Sequence, residues 1–496
     1  CFYTSIKCDV ITYQLEIIMK KNRNFPALAS VGLIFGLVCF SALPDRAQAQ
    51  TASERIKLLE ATLKDLLKRD EEKDRLMKRM ATEIKSLGGA TVSKTPQEAG
   101  YDQTNKKKSI FAQKVGDTTI RLNSIGINVA AVAGYSSEVN ATSRALQGGG
   151  HDPDGTGFTL QTADFSMTGS ADGYFDTEFH SAFFIDHTGT SQVEIEEAFL
   201  RTNSLPYGLE VEAGQQFLEF GAFNPLHVHD WDFIDQPVIL TRMFGGDGIR
   251  QTGIRVGWQL SGTPFGFHGG AYNPNGETMK SFLAADETIG GRTFKNQEIS
   301  GLSDLVYLAR LETHGKLGRK SHFDFGISAL TGPNATGNDA STFILGADLR
   351  LERKLSGDRT LLWQSEALYR RYDLDVAADA GLPSAEVKDY GFYTQAIYGF
   401  APKFSAGLRY EFASGNGDGV TLRDAYNDRS NRHRFSPMLR WAFSPLGDLR
   451  LQYNYDNMDS LSSATNEANA HAVWLGLRFG FGAGGEFWSE GNQHAH

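Results

Sequence analysis

The chain has 496 residues, a formal net charge of -10 and a mean hydropathy of -0.33, enough for one large barrel or two to three ordinary domains. Glycine is abundant (53), proline is scarce (14) and aromatic residues make up 11%. These proportions suit a β protein with many turns, and they exclude a collagen-like or disordered chain. The negative charge, with no basic cluster interleaved with aromatics, argues against nucleic-acid binding.

Residues 19–49 have the pattern of a secretory signal peptide. Basic residues follow Met19, an apolar segment covers 27–43, and residues 47–49 form a small-x-small cleavage site. The apolar segment is shorter than the roughly 20 residues that a membrane-spanning helix needs. We therefore predict that residues 1–18 are an upstream segment, non-native or untranslated, and that the mature chain begins near Gln50.

The three cysteines are Cys1, Cys8 and Cys39, and all precede this cleavage site. Val38 stands before Cys39 where a lipoprotein signal would have a small residue, so no lipid anchor is predicted. The mature chain would contain no disulfide and no cysteine metal site.

Residues 50–89 carry a charged, helical pattern. Apolar residues recur at spacings of three and four, typical of heptad a and d positions. They are Ile56, Leu59, Leu63, Leu66, Met77, Met80, Ile84 and Leu87. Asp70 and Lys73 interrupt the seam, so we predict a coiled coil with a polar layer that makes a homo-oligomer; a solvated single helix is the alternative. Gly88-Gly89 ends it, and 90–116 reads as a linker.

From residue 117 to 481 the chain alternates between apolar and polar residues in segments of about ten to fifteen residues. The usual strand criteria give about sixteen such segments. Such lengths match a tilted membrane-spanning strand, which needs roughly 9–11 residues. The predicted strands are 117–136, 157–170, 172–186, 192–204, 207–218, 249–261, 265–273, 303–314, 320–332, 341–354, 359–373, 387–399, 403–415, 431–443, 448–458 and 470–481.

The connections between these segments alternate between tight turns and longer polar loops, with one exception near Gly189. This order is typical of an even-stranded outer-membrane barrel, which has short turns at one rim and long loops at the other. The sequence therefore predicts an all-β fold, an antiparallel transmembrane β-barrel of about sixteen strands preceded by the N-terminal α-helical coiled coil. Residues 482–496 would form a C-terminal tail.

The last predicted strand shows which face meets lipid. Val473, Leu475 and Leu477 point to one side, and Trp474 and Arg478 to the other. A barrel of this size encloses more volume than side chains can fill, so we expect the polar face to line a channel and the apolar face to contact lipid.

The third long loop, 219–248, is rich in charged, histidine and aromatic residues. Loops longer than about 12–15 residues are usually functional or disordered, and the aromatics favour an ordered loop. We predict that it folds into the lumen, with Trp231, Phe233, Pro237 and Phe244 as its small core. The candidate constriction or solute-binding residues are Glu219, His227, His229, Asp230, Asp232, Asp235, Arg242, Asp247, Arg250 and Arg255.

Two interpretations of this loop remain open. His227, His229 and Asp230 could bind a divalent metal such as zinc, or they could bond the loop to the barrel wall. Arg242, Arg250 and Arg255 are candidates for the opposite wall of the constriction, where facing acidic and basic groups would favour small polar solutes.

Short motifs resemble known porins. Gly476-x-x-Phe479-x-Phe481 resembles the C-terminal signal of bacterial outer-membrane proteins, although about fifteen residues follow it. VGDTTIRLNSIGINV is similar to the start of DcaP-like trimeric porins, and AGQQFLEFGAFNP with GIRQTGIRVGWQL is similar to phosphate-selective porins. The resemblance implies a sixteen-stranded trimer with a constricting third loop in a Gram-negative outer membrane.

The predicted function is passive diffusion of small hydrophilic solutes or ions through an outer-membrane porin, with the coiled coil in the periplasm. Outer-membrane lipid, the solutes and further copies of the chain are the expected partners. A metal-uptake or metal-regulated channel or receptor is the alternative, and a non-conducting scaffold is third. No nucleophile elbow or phosphate loop occurs in the sequence, so neither an enzyme nor a cofactor is predicted.

Overall fold

The computed structural model describes residues 109–283, 288–289, 292–293, 298–417, 431–459 and 468–482. The chain divides into two units, 1–102 and 103–496, and every described residue belongs to the second. The predicted signal peptide, coiled coil and C-terminal tail, and most of the linker, lie outside the described residues.

Sixteen antiparallel strands of the described residues close into one barrel. Each strand pairs with its neighbour along the chain, and the last strand returns to pair with the first. The strands are β2 (Thr118–Ser136), β3 (Gly157–Ala171), β4 (Phe175–Ile185), β5 (Ser191–Thr202), β6 (Leu209–Phe217), β7 (Arg250–Gln259), β8 (Phe265–Tyr272), β11 (Val306–Lys316), β12 (Ser321–Pro333), β13 (Ser341–Lys354), β14 (Thr360–Leu374), β15 (Ala385–Ala401), β16 (Phe404–Gly417), β17 (Arg432–Ser444), β18 (Gly447–Met458) and β19 (Ala468–Gly482).

All sixteen predicted strands are confirmed, with bounds that differ by at most a few residues. The two faces are also as predicted, because side chains alternate across a strand. On β19, Leu475 on the outer face is 48% exposed, whereas its neighbour Trp474 points inward and is fully buried. The exposed apolar band on the outside is the surface that a barrel in lipid presents.

The connections alternate as predicted. Short turns such as 172–174, 402–403 and 445–446 join one set of strand ends, and longer segments join the other. The exception near Gly189 is the connection 186–190. The third connection of the longer set runs from 218 to 249 between β6 and β7, and we call it loop 3.

Three short strands were not predicted. Strand β1 (Phe111–Val115) lies in the expected linker and pairs with the start of β2. Gly116-Asp117 forms the two-residue turn of this hairpin, and Gly116 has φ +62°, a conformation that favours glycine. Two two-residue strands, β9 (Thr288–Ile289) and β10 (Arg292–Thr293), pair with each other in the connection between β8 and β11.

Two short helices lie in the loops, α1 (Asn140–Gln147) between β2 and β3 and α2 (Val238–Phe244) in loop 3. No helix of the described residues has both the length and the apolar character that crossing a membrane requires.

Inside the barrel, loop 3 and the connection after β8 form an apolar core against the wall. Trp231, α2 and Phe282 pack with inward side chains such as Leu330 and Ile344. The expectation that inward positions are polar is therefore wrong for this part of the wall, because these positions face the folded loops and exclude water from them.

Candidate functional site

Loop 3 leaves the wall at β6 and reaches the strands on the far side of the barrel, β16 to β18. Its anchor is Asp235, which is fully buried. The carboxylate pairs with Arg409 on β16 and with Arg434 on β17, the latter at 2.9 Å. Gln452 and Asn454 on β18 donate to the same carboxylate at 2.7 and 2.6 Å. A buried charge with this many donors is compensated on every side.

Arginines of the far wall also hold the backbone of loop 3. Arg450 donates to the carbonyl oxygens of Trp231 at 2.8 Å and Phe233 at 3.1 Å. Arg478 donates to the carbonyl oxygens of His229 and Trp231. These bonds satisfy carbonyl groups that a non-helical segment would otherwise bury without partners.

Side chains of loop 3 pack directly against glycines of the barrel wall. A Cβ added at Gly346 would lie 2.6 Å from the ring of Phe220, and one at Gly407 would lie 3.1 Å from the ring of Phe233. Gly476 stands in the same relation to Ile234, at 3.1 Å. The loop therefore approaches the wall where the strands carry no side chain.

Arg250 and Arg255 are not on the opposite wall. Both lie on β7, next to the end of loop 3. Arg255 donates to Glu210 and Glu212 on β6, each at 2.9 Å, and to Glu219 at the start of the loop at 3.1 Å. Arg250 pairs with Glu194 and donates to the carbonyl oxygen of Asp247 at 2.9 Å. The prediction was wrong because β7 follows the loop directly and shares its side of the barrel.

The loop connects to the near wall through histidines. The rings of His180, His227 and His229 form a parallel stack, with 4.2 Å between the first two centroids and 5.5 Å between the last two. His227 bonds Glu196 at 2.9 Å through Nδ1 and Glu197 at 3.0 Å through Nε2. A carboxylate only accepts, so a ring that donates from both nitrogens is an imidazolium.

Burial and the neighbouring charges shift the pKa of His227 in opposite directions. Burial of the ring disfavours its charged form, but the hydrogen bonds and charges of Glu196 and Glu197 outweigh this effect and hold the pKa of His227 well above its ordinary value. The ion-paired contact is therefore complete at low pH and is lost as the pH rises through this raised pKa.

His229 and Asp230 make other contacts. His229 Nδ1 lies 2.7 Å from Asp164 on β3, and its Nε2 lies 3.5 Å from Asp230. Two groups of metal-ligating side chains converge within the described residues, His180 with Glu197 and His227, and His151 with Glu194 and Asp247. The set predicted from the sequence, His227 with His229 and Asp230, is not one of them.

Loop 3 also meets the first long loop. Asp152 is buried, and its carboxylate accepts from the backbone N–H of Gln236 at 2.9 Å and of Gly149 at 3.1 Å. Burial, together with the nearby charge of Asp235, raises the pKa of Asp152 to about 8, although the Gln236 bond, Arg434 and Arg409 act against this.

The remaining candidates of the loop are half-buried rather than buried. They are Glu219, Asp230, Asp232, Arg242 and Asp247. By contrast His227, His229, Asp235, Arg250 and Arg255 are buried in the contacts described above.

Sequence reasoning missed His180, Glu196, Glu197 and Arg434. A signal for two of them exists in the run Glu194-Ile195-Glu196-Glu197, where the strict alternation breaks. A β-bulge accounts for the break, because Ser181 pairs with Ile195 whereas His180 pairs with Glu197. The extra residue turns two consecutive glutamates toward the lumen, as bulges do when they re-aim side chains.

The chain is similar to known proteins in sequence and in fold. Residues 143–481 match the family model of phosphate-selective porin O and P. The outer-membrane channel DcaP of Acinetobacter baumannii has a similar structure, with a TM-score of 0.50 and 15% identity over 75% of this chain and 99% of that one. The anion-selective porin from Comamonas acidovorans aligns with a TM-score of 0.47 and 12% identity over 73% of this chain and 100% of that one.

An uncharacterized protein of Aquifex aeolicus (strain VF5) is 28% identical over 276 residues. The alignment covers 52% of this chain and 55% of that protein, so the chain spans about half the length of this curated relative.

Proposed function

The chain belongs to the phosphate-selective porin O and P family, and we propose that it forms an outer-membrane channel through which small hydrophilic solutes or ions diffuse passively. The observation that carries this proposal is the position of loop 3, which crosses from β6 and β7 to Arg409 and Arg434 on the far wall and narrows the lumen. We propose a channel rather than an enzyme on the basis of the family and the fold.

The solute would pass the half-buried charges of the loop. Glu219, Asp230, Asp232, Arg242 and Asp247 are the side chains that we propose as the constriction. The buried members of the predicted set, Asp235, Arg250 and Arg255 among them, would act by holding the loop in place. Charged groups around a narrow aqueous path set ion selectivity, because they attract one sign of ion and repel the other.

We further propose that several copies assemble, with three as the number that the resemblance to trimeric porins implies. The heptad pattern in 50–89 supports self-association, since its apolar seam needs a partner helix. The exposed apolar band of the barrel supports a location in the outer membrane, where lipid covers it.

Single-channel recording in a planar bilayer tests the function. We expect stepwise conductance, in groups of three steps if the assembly is a trimer, and a reversal potential under a salt gradient that gives the sign of the preferred ion. Protein that migrates as a folded, heat-modifiable barrel but conducts no current would contradict the channel and leave a receptor or scaffold role.

A further inference from the structure

Two histidines and a glutamate converge where loop 3 meets β4 and β5. His180 and Glu197 are direct cross-strand partners, and His227 of loop 3 stacks on His180. One possible ligand atom from each of the three lies within 4.8 Å of the others. Two imidazoles and one carboxylate are a ligand set that proteins use for zinc, with a water in the fourth position.

Each histidine also has an outer partner. His180 Nε2 lies 2.6 Å from Glu178, and His227 Nδ1 lies 2.9 Å from Glu196. A metal-binding imidazole commonly donates its other N–H to a carboxylate, which fixes the ring and makes the ligand nitrogen more basic. The bulge on β5 makes this arrangement possible, because it turns Glu196 and Glu197 to the same side.

His180 provides an independent observation. Its side chain is more than nine-tenths buried, and its Nδ1 has no hydrogen-bond partner among the described residues. An unpartnered buried nitrogen costs free energy, so such an atom in a folded protein calls for an explanation. A bound cation that engages this imidazole would account for it.

We propose that His180, Glu197 and His227 bind a divalent transition-metal ion of the zinc class, which ties loop 3 to the barrel wall. Zinc lies about 2.0–2.2 Å from nitrogen and oxygen ligands, so the three side chains need only draw together around it. The local charge agrees, because three carboxylates, Glu178, Glu196 and Glu197, surround the two imidazoles. The ion would displace the Nε2 proton that His227 donates to Glu197, since an imidazole binds metal in its neutral form. The site does not rest on the proposed channel function, since an ion can bind whether or not the lumen conducts.

The second group, His151 with Glu194 and Asp247, is the weaker candidate. Arg250 pairs with Glu194 and donates to the carbonyl oxygen of Asp247 at 2.9 Å, so a positive charge is already in place there. A second cation beside this guanidinium would be repelled. The inference therefore commits to one ion per chain, at the His180 group.

Binding of Zn²⁺ to the full chain, purified as a folded barrel in detergent, tests the site by isothermal titration calorimetry. We expect one ion per chain. His180→Ala and His227→Ala should each weaken the affinity at least tenfold, and Glu178→Gln, which changes only an outer partner, by about 10–100-fold. His322→Ala removes an exposed histidine outside the group and should leave binding unchanged.

Heat-modifiable migration on gels establishes that each variant is a folded barrel, so that lost binding is not lost folding. Thermal unfolding gives a second readout, because an ion that binds only the folded state raises its stability. Zn²⁺ should raise the midpoint of the wild type and of His151→Ala, but not that of His180→Ala. Equal binding by the wild type and the His180→Ala/His227→Ala double variant, or loss of binding in His151→Ala alone, would overturn the proposal.

Discussion

At the scale of single residues, Asp235 decides whether loop 3 remains attached to the far wall. Asp235→Ala leaves Arg409 and Arg434 without their shared carboxylate. Removing one partner of a buried ion pair costs about 3–5 kcal/mol, so we expect a lower thermal midpoint. We also expect larger, noisier conductance, because the loop is released from β16 to β18.

The matched control for this change is Asp348→Ala. Asp348 is also buried and pairs with Arg310 at 2.7 Å, but both residues belong to the wall. It should lower the thermal midpoint while leaving the conductance close to that of the wild type. Equal conductance changes in the two variants would contradict the anchoring role of Asp235.

Asp152 gives the contact between the first long loop and loop 3 a dependence on pH. Its pKa of about 8 exceeds the ordinary value of 3.8, so the folded state holds a proton that the unfolded state releases. Stability therefore falls as the pH rises between these values, by up to about 1.4 kcal/mol for each pH unit. We expect the thermal midpoint of the wild type to drop between pH 5 and pH 8.

Asp152→Asn carries a neutral amide in place of the protonated carboxyl, so this part of the drop should disappear. Asp339→Asn alters an exposed carboxylate in another loop and should behave as the wild type. Parallel pH curves for the wild type and Asp152→Asn would show that the contact does not titrate in this range.

At the scale of elements, loop 3 docks on glycines of the wall. Gly346→Ala would place a Cβ 2.6 Å from the buried ring of Phe220, so either the ring or the strand must move. Overpacking of this kind costs about 1–3 kcal/mol, and we expect a lower thermal midpoint with altered conductance. Gly257→Ala is the control, since its Cβ would meet no atom closer than 3.4 Å. A similar drop in thermal midpoint in both variants would argue against specific packing of loop 3 on Gly346.

The same element shows what sequence can and cannot predict. The strands were predictable because alternation is local, and the order of turns and loops followed from their spacing. The contacts of loop 3 were not, since Asp235 meets Arg409 and Arg434 across 174 and 199 residues of chain. Only part of the group formed by His180, Glu197 and His227 could be predicted from the sequence. His227 was a candidate because of its place in the loop, but His180 becomes its neighbour only through the register of β4 and β5 and the bulge between them.

At the scale of the whole molecule, the lumen has two unlike walls. Three arginines of the far wall, Arg440, Arg450 and Arg478, share one carboxylate, Asp448. On the other side, Glu210 and Glu312 are about one-third exposed, while Arg255 and Arg310 beside them are buried. The balance of charge in the barrel interior is therefore positive on one side and negative on the other, an arrangement that orients polar solutes.

This arrangement predicts opposite effects on ion preference from changes on the two walls. Glu210→Gln with Glu312→Gln removes negative charge from the lumen and should shift the reversal potential toward anions. Arg440→Gln should shift it toward cations. Both shifts should shrink as salt increases, because the screening length falls from about 10 Å at 0.1 M to about 3 Å at 1 M. Asp339 lies in a loop outside the barrel strands, so the control variant Asp339→Asn should leave the reversal potential unchanged. A shift from Asp339→Asn as large as that from Arg440→Gln would contradict a transverse field and indicate that the net charge of the molecule alone sets the preference.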